Sequence, residues 1–224
     1  MDNQLDSQLV IIDQKRKKFL EEIIYRMNRQ RSVMLIGEFG VGKTTLLNQI
    51  KAEHTVLKKI ITIESLDPIE SILADIINQV NQEGAVGTRT RVPRHLRKVR
   101  SLKNIGIMVD EAHELRRSTW PYFKRIMDSG IPILFAGMPE LRDYIEERHG
   151  DIRSRLRVFE LEEVAREEIT SHICEKIPEE VLKYLLGFCD SNMRYFFEYL
   201  EDCKRMAKKM GKDQIDMEVA EKVV

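Results

Sequence analysis

One stretch constrains this chain more than any other: Val33-Met34-Leu35-Ile36-Gly37-Glu38-Phe39-Gly40-Val41-Gly42-Lys43-Thr44-Thr45. An apolar run leads into G-x-x-x-x-G-K-T, and an amphipathic segment starts at Thr44. A buried strand, a glycine-rich turn and a helix start, in that order, make a phosphate-binding loop. Gly37, Gly40 and Gly42 let the backbone turn tightly and aim its N–H groups at phosphate oxygens. The helix N-terminus, with Thr44 and Thr45 in its first turn, adds partial positive charge at the same place. Lys43 has the reach for the β- and γ-phosphates, and Thr44 carries a hydroxyl suited to Mg²⁺. An ordinary glycine-rich turn is the bland alternative, and the strand before and helix after weigh against it.

The rest of the chain alternates in a way that suits such a loop. Residues 13–30 predict a basic amphipathic helix with Phe19, Leu20, Ile23, Ile24 and Met27 on one side. Strands are expected at 32–37, 59–64, 105–110, 131–137 and, briefly, 158–161. Helices are expected from Thr44 to Ala52, from the Asp67-Pro68 cap to Val80, from Ser118 to before Gly130, and from Pro139 to Arg148. The first, third and fourth strands are almost continuously apolar, as centrally buried parallel strands are. The predicted fold class is α/β: a three-layer sandwich with a parallel sheet and helices on both faces. Beyond residue 162 only helices are expected, at 165–175, 178–188, 192–210 and from Met217. The expected domains are therefore a nucleotide-binding α/β domain, 1–162, and a small helical lid, 163–224.

A second chemical feature is Ile105-Gly106-Ile107-Met108-Val109-Asp110-Glu111-Ala112-His113, an apolar strand ending in two carboxylates. Ligands of open α/β sheets sit at the carboxyl ends of the strands. Asp110 is then a metal-side acid facing the Mg²⁺ of Thr44, and Glu111 a base for an attacking water. The alternative is a strand that ends in solvated acids. Asp-Glu-Ala-His also heads a helicase motif, but those enzymes use two such domains in tandem. His113 reads as a loop or packing residue.

Composition narrows the class. Net charge is zero, so any polyanion site must be a local patch, and no apolar run approaches the ~20 residues of a membrane span. Met1-Asp2-Asn3-Gln4 does not read as a signal peptide, which points to a cytoplasmic protein. Cys174, Cys189 and Cys203 are odd in number and widely spaced, fitting neither a zinc site nor a disulfide framework, and read as core or half-buried thiols. Between Gly84 and Val109 there is no acid, but there are seven basic residues: Arg89, Arg91, Arg94, Arg97, Lys98, Arg100 and Lys103. Arg94, Arg97 and Lys98 fall near one helical face. Either they contact nucleic-acid phosphates or they form a solvated face balanced by acids elsewhere. Lys15-Arg16-Lys17-Lys18 reads as a solvated helix face, with a place near an adenine pocket or a subunit boundary as the alternative; Tyr195, Phe196, Phe197 and Tyr199 read as packing in a helical lid, and Trp120 as a candidate for a partner contact.

The phosphate loop, the Asp110-Glu111 strand end and the helical C-terminal part together resemble an AAA+ ATPase. Within that superfamily the chain resembles the DNA-transposition ATPases of the MuB and TnsC type and the ExeA-like proteins. The stretch Ile133-Leu134-Phe135-Ala136-Gly137-Met138-Pro139-Glu140-Leu141-Arg142 and the element Arg153-Ser154-Arg155-Leu156 carry that likeness. The resemblance implies Arg155, with Arg153 as runner-up, as an arginine finger donated to a neighbour's nucleotide, and Arg194 as a sensor arginine in the lid. The fourth strand departs from the broad pattern: it ends Gly137-Met138 where a polar sensor residue is usual. The implied activity is Mg²⁺-dependent ATP hydrolysis by a homo-oligomer, a ring or helical filament, that holds duplex DNA without sequence preference through residues 89–103. Its implied task is to regulate a transposase in DNA recombination. Two other classes are an ATP-gated protein-assembly or signalling module of the ExeA-like kind, without DNA, and an initiator or loader ATPase. The latter usually carries a winged-helix domain after the lid, for which this sequence leaves no room.

Overall fold

The computed structural model of the protein describes residues 14–53, 59–63, 67–80, 92–163, 177–189 and 192–224. They form two compact units. Residues 18–37 and 46–160 make one; 14–17, 38–45 and the described residues from 161 onward make the other. The predicted helix at 165–175, Glu64, Arg89, Arg91 and Cys174 lie outside the described residues.

The first unit is built on five strands: β1 (Ser32–Gly37), β2 (Lys59–Ile63), β3 (Ile105–Val109), β4 (Ile133–Gly137) and β5 (Leu156–Leu161). Their order in the sheet is β2-β3-β4-β1-β5. The β2–β3, β3–β4 and β4–β1 pairs are parallel, with Ile36 opposite Gly137 and Val109 opposite both Ile63 and Phe135. The central strands are buried at every residue, which explains their unbroken apolar runs. At the edges the pattern loosens: Thr62 of β2 is exposed, and β5 alternates buried Leu156, Phe159 and Leu161 with exposed Arg157 and Glu160. β5 is longer than the short strand expected from Val158: it starts two residues earlier, at buried Leu156 and exposed Arg157.

The helices of this unit are most of α1 (Gln14–Asn28, from Lys18) and of α2 (Lys43–Glu53, from Leu46), with all of α3 (Ile69–Val80), α4 (Val92–Arg100), α5 (Trp120–Met127), α6 (Glu140–Arg148) and α7 (Gly150–Arg153). Ile72 N–H donates to the Pro68 carbonyl at 3.1 Å, so Pro68 stands at the cap of α3 rather than inside its first turn. Ile69, Ile72, Leu73, Ile76 and Ile77 then recur at helical spacing and are all buried. One core joins them to Met34, Ile36, Ile107, Val109, Ile133 and Phe135, the residues of one sheet face. The opposite face, including Val33, Leu35, Met108, Leu134 and Ala136, is equally buried. Leu20, Ile23 and Met27 of α1 and Leu46, Leu47 and Ile50 of α2 are buried outside the first core. The sheet is thus covered on both faces, as the alternation predicts.

Trp120 corrects one expectation. It is 1% exposed, with its ring centroid 5.1 Å from that of Phe135 and 6.2 Å from those of Phe123 and Tyr144. The short 3₁₀ turn Arg117–Thr119 feeds straight into α5, and Trp120, at the helix start, lies in the core. Burying an aromatic of this size contributes about 1.5–3 kcal/mol; it is packing and not a partner contact.

In the second unit, α8 (Glu179–Phe188), α9 (Met193–Lys209) and α10 (Met217–Glu221) share their own core. Met193, Phe196, Leu200, Cys203 and Ala207 form the buried stripe of α9. Burial, with Asp202 adding to it, pushes the Cys203 thiol up to about 11, so it behaves as an inert apolar group. Cys189 is buried too, its thiol on the Leu185 carbonyl. Asp216 caps α10 by accepting from Val219 N–H at 3.0 Å. Among the described residues no helix is long and apolar enough to cross a membrane.

Candidate functional site

β1 ends at Gly37 and α2 begins at Lys43, so the loop between them spans only Glu38 to Gly42. Gly40 and Gly42 take φ of +82° and +93°, a region that costs other residues ~1–2 kcal/mol. Lys43 is 6% exposed and its Nζ donates to the Glu38 carbonyl at 2.9 Å. The ammonium is thereby folded back over its own loop. Thr44 is exposed in the first turn of α2, and Thr45 is partly covered.

The loop is held from outside by three residues of its own unit. Arg16 of α1 is 3% exposed; one guanidinium nitrogen donates to the Val41 carbonyl at 3.1 Å and to the Glu162 carbonyl at 2.5 Å. Asn192 accepts from Arg194 N–H at 3.0 Å, which caps α9, and its Nδ2 donates to the Phe39 carbonyl at 3.4 Å. The same Asn192 side chain fills the space a Cβ on Gly40 would need, its Cγ only 2.6 Å from that position. Arg194 stacks its guanidinium 5.3 Å from the Phe39 ring centroid and lies 3.9 Å from Glu198. Among the loop residues only Phe39 presents a large exposed apolar side chain, and that arginine lies over it.

In the other unit, the carboxyl end of β3 is a tight turn. Asp110 Oδ1 accepts from Glu111 N–H at 2.9 Å. Glu111 is in the left-handed region, φ 49° and ψ 41°, unusual for a residue with a Cβ. A 3₁₀ turn, Ala112–Glu114, follows, pinned by buried Ala112 and Leu115. His113 Nδ1 lies 3.4 Å from Glu111 Oε2 and 3.4 Å from Met138 N at the end of β4.

The two candidate finger arginines follow α6. Arg153 Nε donates to Glu146 Oε1 at 2.8 Å and its Nη1 to the Leu156 carbonyl at 3.2 Å. Arg155 is exposed; its Nε donates to Asp128 Oδ1 at 2.8 Å and its Nη1 to the Asp151 carbonyl. Asp151, paired with Lys124, has its carboxyl held below the usual range chiefly by that ammonium. Arg26, Arg31, Arg155 and Arg157 line a cavity of about 520 Å³ with Asp128. In α4, Arg94, Arg97, Lys98 and Arg100 are exposed while His95, Leu96 and Val99 are buried; Lys103 is exposed just beyond. Burial, then Lys98 and Arg94, keeps His95 below its ordinary pKa.

The family model described as "AAA domain" matches residues 26–145, more than half of the chain. The chain belongs to this AAA family. Solved structures agree on the fold. The ORC2 protein of Aeropyrum pernix, in ADPNP and ADP complexes, is 16% identical with a TM-score of 0.75, covering 96% of this chain and 71% of that one. The ORC1 protein of the same organism, in complex with DNA, is 14% identical with a TM-score of 0.71, covering 93% and 64%. The Holliday junction branch migration motor RuvB of Thermotoga maritima is 16% identical with a TM-score of 0.68, covering 95% and 69%. The chain thus spans about two thirds of the length of the proteins it resembles. No curated protein sequence matches it.

Three side-chain placements are not apparent from the sequence. Arg16 is one: the 15–18 cluster was expected to be a solvated face, and Lys15, Lys17 and Lys18 are exposed, but Arg16 turns inward to two carbonyls. Asn192 is another; only a capping signal before α9 marks it. The third is His113, which lies in a turn, as a loop or packing histidine would, but with its ring between Glu111 and β4. Gly137 also has its reason: a Cβ there would stand 3.0 Å from Leu141 Cδ2 and 3.2 Å from His113 N. Among the described residues no group of three or more His, Cys, Asp or Glu could hold a metal.

Proposed function

We propose that this AAA domain binds and hydrolyses ATP with Mg²⁺, and that it oligomerises on duplex DNA to regulate a transposase. The observation that carries the nucleotide reading is the loop: Gly40 and Gly42 at positive φ, then Lys43 and Thr44 opening α2 directly after a fully buried strand. Gly37 N–H and its successors, Lys43, Thr44 and Thr45 would cradle the phosphates. The hydroxyl of Thr44 and the carboxylate of Asp110 are hard oxygen donors fit for Mg²⁺, which when bound neutralises charge on the phosphate oxygens. Glu111 would take the proton of the attacking water. Arg194, already over Phe39 of the loop, would read the nucleotide from the lid.

The DNA reading rests on the exposed cations of α4 with Lys103, together with Arg89 and Arg91 before it. The transposition reading rests on the likeness of residues 133–142 and 153–156 to the MuB and TnsC type. Arg155, with Arg153 second, is the residue proposed to reach a neighbour's nucleotide.

The test is a pair of variants. Lys43→Ala should lose ATP binding, read by equilibrium titration. Glu111→Gln should keep it while hydrolysis slows by about 10²-fold or more. Unchanged affinity in the first, or wild-type turnover in the second, sinks the assignment.

A further inference from the structure

The turn after β3 holds an imidazole for which the nucleotide reading has no task. His113 Nδ1 is 3.4 Å from Glu111 Oε2 and 3.4 Å from the Met138 amide nitrogen. One ring nitrogen cannot serve both. With the ring proton on Nδ1 it donates to the carboxylate; with the proton on Nε2 it accepts from the Met138 N–H. The ring also closes over Gly137, where a Cβ would stand 3.3 Å from Nδ1. β4 therefore ends without a side chain, and the polar atom at its end comes from the β3 turn instead. Glu111 itself is half exposed and stands on left-handed backbone, so its direction is set by the turn and its neighbours.

We propose that His113 is a positioning residue for Glu111. Its Nδ1 exchanges between the Glu111 carboxylate and the Met138 amide, and so ties the direction of the base to the end of β4. The polar contact that Gly137 cannot make is made by His113. This rests on Glu111 acting as the base of ATP hydrolysis.

The experiment compares wild type, Glu111→Gln, His113→Asn, His113→Gln and His113→Leu for ATP affinity, KM, kcat and thermal midpoint. His113→Leu and His113→Gln should lose about tenfold or more in kcat with KM, affinity and midpoint unchanged. His113→Asn should retain most of the activity, because its amide sits near the Nδ1 position and presents either a donor or an acceptor. A merely structural histidine would not separate Asn from Gln. The second readout is the ring ¹⁵N spectrum of His113, assigned by its loss in His113→Asn. Glu111→Gln should move the tautomer balance toward Nε2–H. Wild-type kcat in His113→Leu, or a ring spectrum unmoved by Glu111→Gln, overturns the proposal while the nucleotide reading stands. A wild type without turnover, or Glu111→Gln turning over normally, overturns that reading and the role of His113 with it.

Discussion

Gly40 is where two unrelated constraints meet on one Cα. Its backbone is left-handed, and the Asn192 side chain occupies the place of a Cβ. Gly40→Ala should cost about 1–2 kcal/mol for the backbone alone, a loss of several degrees in thermal midpoint for a chain of this size. ATP affinity should fall with it. Asn192→Ala alone should cost about 0.5–2 kcal/mol, because it removes the cap of α9, so the crowding is read from the coupling of the two: the double variant should lose less than the sum of the single losses. Strictly additive losses would show that the close approach costs nothing. The glycine spacing of the loop is plain in the sequence, because the motif is local and complete. The reason for Gly40 in particular is not, since Asn192 lies 153 residues from the Phe39 carbonyl it bonds. Nor is the left-handed Glu111: nothing in Asp-Glu-Ala-His distinguishes it from an ordinary strand end.

At the scale of elements, α4 has a buried face and a charged, exposed one. Leu96 and Val99 belong to the core under the sheet, while Arg94, Arg97 and Lys98 point away from it. Replacing those three by Ala removes no buried group and puts the best helix former at each position. The thermal midpoint should stay within a degree or two. Duplex affinity should drop for every sequence alike, since phosphate contacts position without specifying. The log–log salt slope should flatten by about 0.9 for each phosphate that is no longer neutralised. Wild-type affinity and slope in the triple variant would make this a solvated face and favour a protein-assembly role. Elements with a clean period are legible in advance: α3, α9 and the central strands. Those whose residues mix roles are not. Arg16 hides behind three lysines, because a buried guanidinium on two carbonyls looks, letter by letter, like any basic helix residue; β5 is legible from Val158 on, and only Leu156 and Arg157 are missed.

For the whole molecule the question is what one copy asks of another. Arg155 lies on the surface, paired with Asp128, and exposed pairs of this kind contribute about 0–1 kcal/mol. Arg155→Ala should therefore fold and bind ATP, yet hydrolyse it slowly and assemble poorly. Mixed with Lys43→Ala, it should recover part of the activity, since each partner supplies what the other lacks. No recovery at any ratio argues against an arginine acting between subunits.

The order of the sheet has a consequence for how the chain is made. Ser32 Oγ, at the start of β1, accepts from Ile133 N–H, 101 residues further on. Of the five described strands β1 is made before the rest, and both of its neighbours in the sheet, β4 and β5, are made after β2 and β3. During synthesis the strand bearing the phosphate loop waits beside no partner while β2 and β3, adjacent in the sheet, can already meet. The pairings that enclose β1 come late, which slows folding and leaves an apolar strand for chaperones to shield. Nucleotide binding, which needs β1 enclosed, then comes after those late pairings.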